Sequence, residues 1–275
     1  MDSGPGAPDG HLTGEARRRP GSLTVVGTGI QLGTQLTPHS RAVIERADAF
    51  LYLVGEPVTA SWLEDLNPKA RSLAGFYEAG KDRRETYAAM VEEILAEVRK
   101  GKDVCVAFYG HPGVFVDPGH EAIRRARAEG FRARMLPGIS AEDCLVADLG
   151  LDPAETGCQT YEATAFLLYR RRVDTTALLV LWQVGFLGEF AMPEQPARPP
   201  LEVLADYLAE FYPPEHELIV YEASPYAIVE PVVQPVSLGA LAASDVPPMA
   251  TLVVPPTGRS SIDVTMLDRL GLPSP

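Results

Sequence analysis

The feature that most constrains this fold is a short apolar segment followed at once by a glycine- and proline-rich loop. Residues 104–107, Val-Cys-Val-Ala, have the length and composition of a buried β-strand. Residues 108–115 contain two glycines and a proline, which break the strand into a tight loop. Asp117 and Pro118 then resemble the N-cap and first residue of a helix. This order predicts a parallel α/β sheet with a ligand at the carboxyl end of the strand. The alternative is a turn without a ligand.

Composition and charge narrow the class of protein. The chain has 275 residues, of which 46% are hydrophobic, enough for one large or two modest domains. Its net charge of −13 argues against nucleic acid as the main partner. No apolar run has the length of a membrane helix and no signal-type segment opens the chain, so we expect a cytoplasmic protein that does not bind membranes.

The cysteines give no sign of a disulfide framework or a metal site. Cys105, Cys144 and Cys158 lie far apart in the sequence and lack the paired spacing of zinc ligands. We expect buried, reduced side chains and no bound metal.

The N-terminal half alternates predicted strands and helices. Leu23 opens a strand that leads into Gly27-Thr28-Gly29, and Thr37-Pro38 caps the next helix. This opening resembles a nucleotide-binding unit, but it lacks the third glycine and the acidic residue of the dinucleotide pattern, so a simple tight turn fits equally well.

A long helix over residues 82–100 carries an arginine in an unusual place. Its apolar stripe includes Tyr87, and Arg83 lies one turn earlier on the same face. Either Arg83 extends to solvent, or this end of the stripe faces a cleft where a guanidinium is needed.

The C-terminal half is richer in strands and predicts a mixed sheet. A helix capped by Ser140 ends at Gly150, and residues 192–200 should form a loop or flap. We expect strands at 131–136, 163–169, 177–182, 217–222, 229–236 and 251–254. The chain is thus divided into a disordered leader (1–20), an N-terminal α/β domain (21–134), a C-terminal α/β domain (135–258) and a C-terminal helix and tail (259–275).

With these elements placed, the chain resembles the tetrapyrrole methylase superfamily, the class III S-adenosylmethionine-dependent methyltransferases. It is still more similar to the borosin peptide backbone α-N-methyltransferases. The blocks that carry the resemblance are FYGHPGVF (108–115), MLPGISAED (135–143), ADLG (147–150), WQVG (182–185) and VPP (254–256).

The resemblance implies a two-domain α/β fold with S-adenosylmethionine between the domains and S-adenosylhomocysteine as product. The residues that it implies for the cofactor are Tyr109, His111, Val114, Phe115, Ser140, Ala141, Gln183, Ala250 and Thr251. Two of these have simpler explanations: His111 could be a turn histidine bonded to main chain, and Gln183 a satisfied buried amide.

The resemblance also implies the residues that act on the substrate. An amide nitrogen is a poor nucleophile because its lone pair is delocalised, so its methylation needs a base and a donor for the developing imidate oxygen. The implied residues are Tyr77, Arg83, Tyr87 and Tyr109, with Tyr87 as the base, Arg83 as its electrostatic partner, and the other two tyrosines orienting the amide.

Fused members of the family carry their substrate as a C-terminal extension, which this chain does not show. We therefore expect a separate precursor peptide, modified in trans by a homodimer. Glu222 also stands where fused members have a small residue. The alternatives are a tetrapyrrole C-methyltransferase, which should need a cationic surface for a polycarboxylate, a cofactor-binding scaffold subunit without catalysis and, more distantly, a dinucleotide oxidoreductase.

Overall fold

The computed structural model describes residues 20–78, 81–189 and 199–273. Within them the strands form two five-stranded sheets. The predicted leader falls almost wholly outside the described residues, as does most of the predicted flap at 192–200. None of the described helices combines the length and the hydropathy needed to cross a bilayer.

The N-terminal half forms a wholly parallel sheet in the order β3-β2-β4-β1-β5, as the alternating pattern predicted. Its elements are β1 (Ser22–Gly27), α1 (Pro38–Arg46), β2 (Ala49–Leu53), α2 (Pro57–Leu66), β3 (Ala70–Ser72), α3 (Arg83–Arg99), β4 (Asp103–Phe108), α4 (Asp117–Ala128) and β5 (Arg132–Met135).

The C-terminal half forms a mixed sheet in the order β6-β7-β10-β8-β9, in which only the β6–β7 pair is parallel. This also confirms the prediction. Its elements are α5 (Ala141–Leu149), α6 (Pro153–Thr156), β6 (Cys158–Glu162), α7 (Ala163–Leu168), β7 (Leu178–Trp182), α8 (Leu201–Leu208), β8 (Glu217–Glu222), β9 (Val232–Ser237), β10 (Thr251–Val254) and α9 (Val264–Leu270).

Strand β4 is the centre of the parallel sheet and is covered on both faces. Val104, Val106 and Phe108 pack with α3 and α4, whereas Cys105 and Ala107 pack with α1 and α2. Because both faces of β4 are buried, its sequence is a nearly continuous apolar run. The three cysteines are free. Cys105 and Cys144 are buried as predicted, whereas Cys158 is only half-buried, so that prediction was wrong for Cys158.

Two local predictions were wrong. Residues 163–169 are not a strand: Ala163–Leu168 is helical because the Glu162 carboxylate accepts the N–H groups of Thr164 (2.9 Å) and Ala165 (2.6 Å), and the strand precedes it. In α4, Asp117 is the first helical residue instead of the N-cap, which is Val116.

Glu97 on α3 is the hub of an ion-pair network. Its side chain is 6% exposed, and its carboxylate contacts Lys100 (2.8 Å), Lys102 (2.6 Å) and Arg71 (3.1 Å). Hydrogen bonds from the two lysines hold the pKa of Glu97 at about 2.

We expect Glu97→Gln to lower the free energy of unfolding by about 2 kcal/mol at neutral pH, because three cations lose their shared carboxylate. A depressed pKa stabilises the fold above the carboxylate's ordinary value of 4.5, and this stabilisation is lost as the pH falls towards about 2. The difference between variant and wild type should therefore vanish in acid. Urea unfolding at several pH values measures it.

The matched control is Glu45→Gln, which removes an exposed i,i+4 pair with Arg41. It should change stability by less than about 0.5 kcal/mol. An equal loss in both variants would contradict the assigned importance of the network.

Candidate functional site

The carboxyl ends of β1, β4 and β5 lead into loops that pack directly on one another. Gly29 and Gly110 exchange main-chain hydrogen bonds of 3.0 and 3.3 Å. A Cβ built on Gly27 would lie 2.1 Å from the Gly110 carbonyl oxygen, and one on Gly138 would lie 3.2 Å from the same atom. The glycines of the GxG sequence therefore serve this close loop packing.

One edge of the mixed sheet supplies a second set of strand ends. Thr251 pairs with Tyr221 and Leu252 with Leu181, so β10 begins where β7 and β8 end. Six residues consequently lie along this edge: Trp182, Gln183, Tyr221, Glu222, Ala250 and Thr251.

The two edges face each other across a cleft. The rings of Phe115 and Trp182 approach to 6.4 Å between centroids. On another side the Leu32 N–H donates to the Pro225 carbonyl at 2.9 Å, and the Tyr226 hydroxyl donates to Glu56 at 2.9 Å. The strand-end loop at which the sequence predicts a ligand thus faces the cleft between the sheets.

A cavity of about 490 Å³ opens at one end of this cleft. It is lined by Asp82, Arg83, Arg84, Tyr87, Phe115, Asp117 and Gln183. Arg83 and Tyr87 therefore border a cavity, which supports the cleft interpretation of Arg83. Sequence reasoning missed Asp82, Arg84 and Asp117 as lining residues, because charged residues in a first helical turn look like ordinary capping groups.

Backbone strain is concentrated at this cavity. Phe115 and Gln183 adopt left-handed φ angles of 54° and 59°, which is uncommon for residues with a side chain. Among the described non-glycine residues only Arg170 shares this conformation. Such strain persists where the surrounding structure enforces it and is frequent at functional sites.

Tyr77, Arg83 and Tyr87 lie together, as the resemblance implied. The two tyrosine rings meet edge to face, with centroids 6.5 Å apart and planes at 79°. Burial raises the pKa of Tyr77 well above the usual tyrosine value, the neighbouring Tyr87 raises it further, and the charge of Arg83 acts in the opposite direction.

Tyr109 belongs to a different group of side chains. It packs with the cluster on the α1 and α2 face of the parallel sheet, whereas Tyr77 and Tyr87 pack with the opposite cluster. Burial raises the pKa of Tyr109 to about 12, and nearby Cys144 and Glu222 add to the effect. The structure thus brings three of the four implied residues together and leaves Tyr109 beside Glu222.

The implied cofactor residues fall on both sides of the cleft. His111 makes the turn contact of the simpler explanation, since its Nδ1 accepts the Gly113 N–H at 3.0 Å. Val114 and Phe115 expose 42% and 50% of their surface, which leaves apolar area for a ligand. Gln183 borders the cavity and is only half-buried, so it is not the satisfied buried amide of the alternative.

The remaining implied residues are held firmly in place. Ser140 caps α5, where its hydroxyl accepts the Asp143 N–H at 3.2 Å and the Asp143 carboxylate accepts the Ser140 N–H at 2.7 Å. Ala141 is the first residue of that helix. Ala250 and Thr251 are buried, and the Ala250 carbonyl accepts the Val184 N–H at 3.1 Å.

A parallel sheet and a mixed sheet that enclose a cleft with their strand ends define a class of two-domain α/β enzymes. The model of the family described as Tetrapyrrole (Corrin/Porphyrin) Methylases matches residues 22–227, and the chain belongs to this family. A solved structure, uroporphyrin-III-C-methyltransferase from Thermus thermophilus, shares the fold with a TM-score of 0.61, 21% identity and coverage of 93% of this chain and 98% of that one.

Curated relatives are more similar in sequence. The methyltransferase/ribosomally synthesized cyclic peptide dendrothelin A precursor of Dendrothele bispora is 40% identical over 264 residues, 93% of this chain and 63% of the relative. A methyltransferase/ribosomally synthesized type I borosin cyclic peptide precursor of Coprinopsis marcescibilis is 41% identical over 253 residues, which cover 90% of this chain and 65% of the relative. These names confirm the resemblance to the borosin methyltransferases. The chain spans about two thirds or less of each relative's length.

We expect Gly27→Ala to disturb the cleft loops, because the added Cβ would overlap the Gly110 carbonyl and lie 2.7 Å from Pro112 Cδ. The free energy of unfolding should fall by about 2 kcal/mol or more. Gly55→Ala, where a Cβ meets nothing within 4 Å, should stay close to wild type in chemical denaturation. Equal stabilities for the two variants would contradict the packing role of Gly27.

Proposed function

We propose that this protein is an S-adenosylmethionine-dependent methyltransferase that α-N-methylates backbone amides of a ribosomally made precursor peptide. The observation that carries the proposal is the grouping of Tyr77, Arg83 and Tyr87, of which Arg83 and Tyr87 border the cavity. The names of the curated relatives, which join a methyltransferase to a cyclic peptide precursor, support the substrate class.

The cleft has features that suit S-adenosylmethionine. Phe115 is half exposed and offers aromatic surface to a sulfonium or a base, and the buried Trp182 ring supports it from the mixed sheet. The close packing of the glycine-containing loops holds their main chain at the cleft. The other implied residues would complete the binding surface: His111 and Val114 on the loop, and Ser140, Ala141, Gln183, Ala250 and Thr251 facing it. When bound, the cofactor supplies an electrophilic methyl group.

The tyrosines and Arg83 would have different roles in the methylation of the amide. Tyr87 would take the amide proton, with the Arg83 guanidinium one helical turn away as its electrostatic partner. Because burial raises the pKa of Tyr77, its hydroxyl stays protonated at neutral pH and would donate to the developing imidate oxygen. Tyr109, with a pKa of about 12, also stays protonated. It would orient the amide and the cofactor from the side of the parallel sheet that α1 and α2 cover.

The peptide would be a separate chain that enters the cleft from solvent. We expect the enzyme to act as a homodimer, as the family resemblance implied, and to be cytoplasmic. A tetrapyrrole substrate gains no support from the cavity. Its lining contains two arginines and two aspartates, so it lacks the excess of cations that a polycarboxylate needs.

The test is tandem mass spectrometry of a candidate precursor peptide after incubation with the protein and S-adenosylmethionine. We expect methyl increments on backbone amides, and at least about a 100-fold loss of rate in Tyr87→Phe and Arg83→Ala. The matched control is Tyr169→Phe, because Tyr169 is an exposed tyrosine with Arg171 5.2 Å from its ring centroid. This variant should keep the wild-type rate.

Two results would contradict the proposal. One is an unmodified peptide beside a methylated uroporphyrinogen-type macrocycle in a parallel reaction, which would favour the tetrapyrrole alternative. The other is full peptide methylation by Tyr87→Phe and Arg83→Ala, which would remove these side chains from the chemistry.

A further inference from the structure

Glu222 carries a buried carboxylate oxygen without a partner. It is the last residue of β8, on the edge of the mixed sheet that faces the cleft. Its Oε2 is buried and has no hydrogen-bond partner, a condition that only one other described side-chain atom, the Tyr212 hydroxyl, shares. The main-chain N–H of Met249, just before Ala250 and Thr251, bonds to the same carboxylate.

An orphaned carboxylate oxygen is costly in the free protein. Burial raises the pKa of Glu222 because the charged form is poorly solvated there. Buried polar atoms are nearly always paired, and an exception calls for a missing donor. A ligand in the cleft with an N–H or O–H group would supply that donor.

The surroundings of Glu222 indicate which part of the ligand this is. Glu222 does not line the cavity of Arg83 and Tyr87, which is the place proposed above for methyl transfer. It lies instead near Tyr109, a mostly buried ring that also has Cys144 in its neighbourhood and offers an apolar setting. An ammonium group needs several acceptors or water, whereas a flat base can bury its faces here and direct its donor to a single carboxylate.

We propose that Glu222 binds the nucleoside half of the cofactor, its Oε2 accepting from the exocyclic amine of the base or a ribose hydroxyl. The inference rests on the proposed function, since it assumes that S-adenosylmethionine occupies the cleft. It adds a specificity-determining carboxylate outside the group that acts on the amide.

Glu222→Gln is the informative substitution because it keeps the shape and can keep the Met249 contact through its amide oxygen. The amide nitrogen then replaces Oε2 and cannot accept. The probes are S-adenosylhomocysteine, 5′-methylthioadenosine, which keeps the nucleoside without the amino acid, and 5′-methylthioinosine, which lacks the exocyclic amine. Calorimetry gives their dissociation constants without any turnover.

We expect Glu222→Gln to raise the dissociation constants of S-adenosylhomocysteine and 5′-methylthioadenosine equally, by about 10-fold. An unchanged affinity for 5′-methylthioinosine assigns the contact to the amine, and an equal loss assigns it to a ribose hydroxyl. Glu217→Gln, an exposed carboxylate at the other end of the same strand, should bind like wild type. The melting temperature of ligand-free Glu222→Gln should not fall, because an orphaned charge is removed.

Loss of S-adenosylhomocysteine affinity with unchanged 5′-methylthioadenosine affinity would place Glu222 at the amino acid half and overturn the inference. Wild-type affinity for both would overturn it as well, while leaving the cofactor site intact. If the wild-type protein binds neither compound, the proposed function itself fails, which separates the two cases.

Discussion

The close packing of three glycine-containing loops is the constraint on which the site depends. Gly27, Gly110 and Gly138 bring the ends of β1, β4 and β5 so near one another that a side chain at Gly27 would overlap main chain. This packing fixes the start of the loop that carries His111 and Phe115 and sets the direction in which α5 begins. Because the edge of the mixed sheet meets the same loop through Trp182, the cleft inherits its shape from these contacts.

Two chemical environments follow from the alternation of side chains along β4. The face covered by α3 and α4 presents Tyr77, Arg83 and Tyr87 next to an open cavity, where charge and proton transfer are possible. The other face carries Tyr109 towards Cys144 and Glu222, where burial keeps the phenol protonated. A cofactor that extends between them would present its reactive group at one end and its base at the other. Under the proposed function, cofactor binding and methyl transfer would be separated along one cleft.

The sequence predicted most of the fold, because long apolar runs and clear caps mark β4, β10, α3 and α5. It failed at residues 163–169, where an apolar run of strand-like length is a helix started by the Glu162 carboxylate; a short run does not distinguish the two states. Much of the candidate site came from family resemblance. The orphaned Oε2 of Glu222 and the separation of Tyr109 from Tyr77 depend on contacts between distant segments, which no local pattern contains.

The most direct measurement is a crystal structure of the protein with S-adenosylhomocysteine. Density should lie between the two sheets, with the sulfur facing the cavity of Arg83 and Tyr87 and the nucleoside within hydrogen-bond distance of Glu222. Density outside the cleft, or a sulfur turned away from Arg83 and Tyr87, would contradict the assignment of this cavity as the place of methyl transfer.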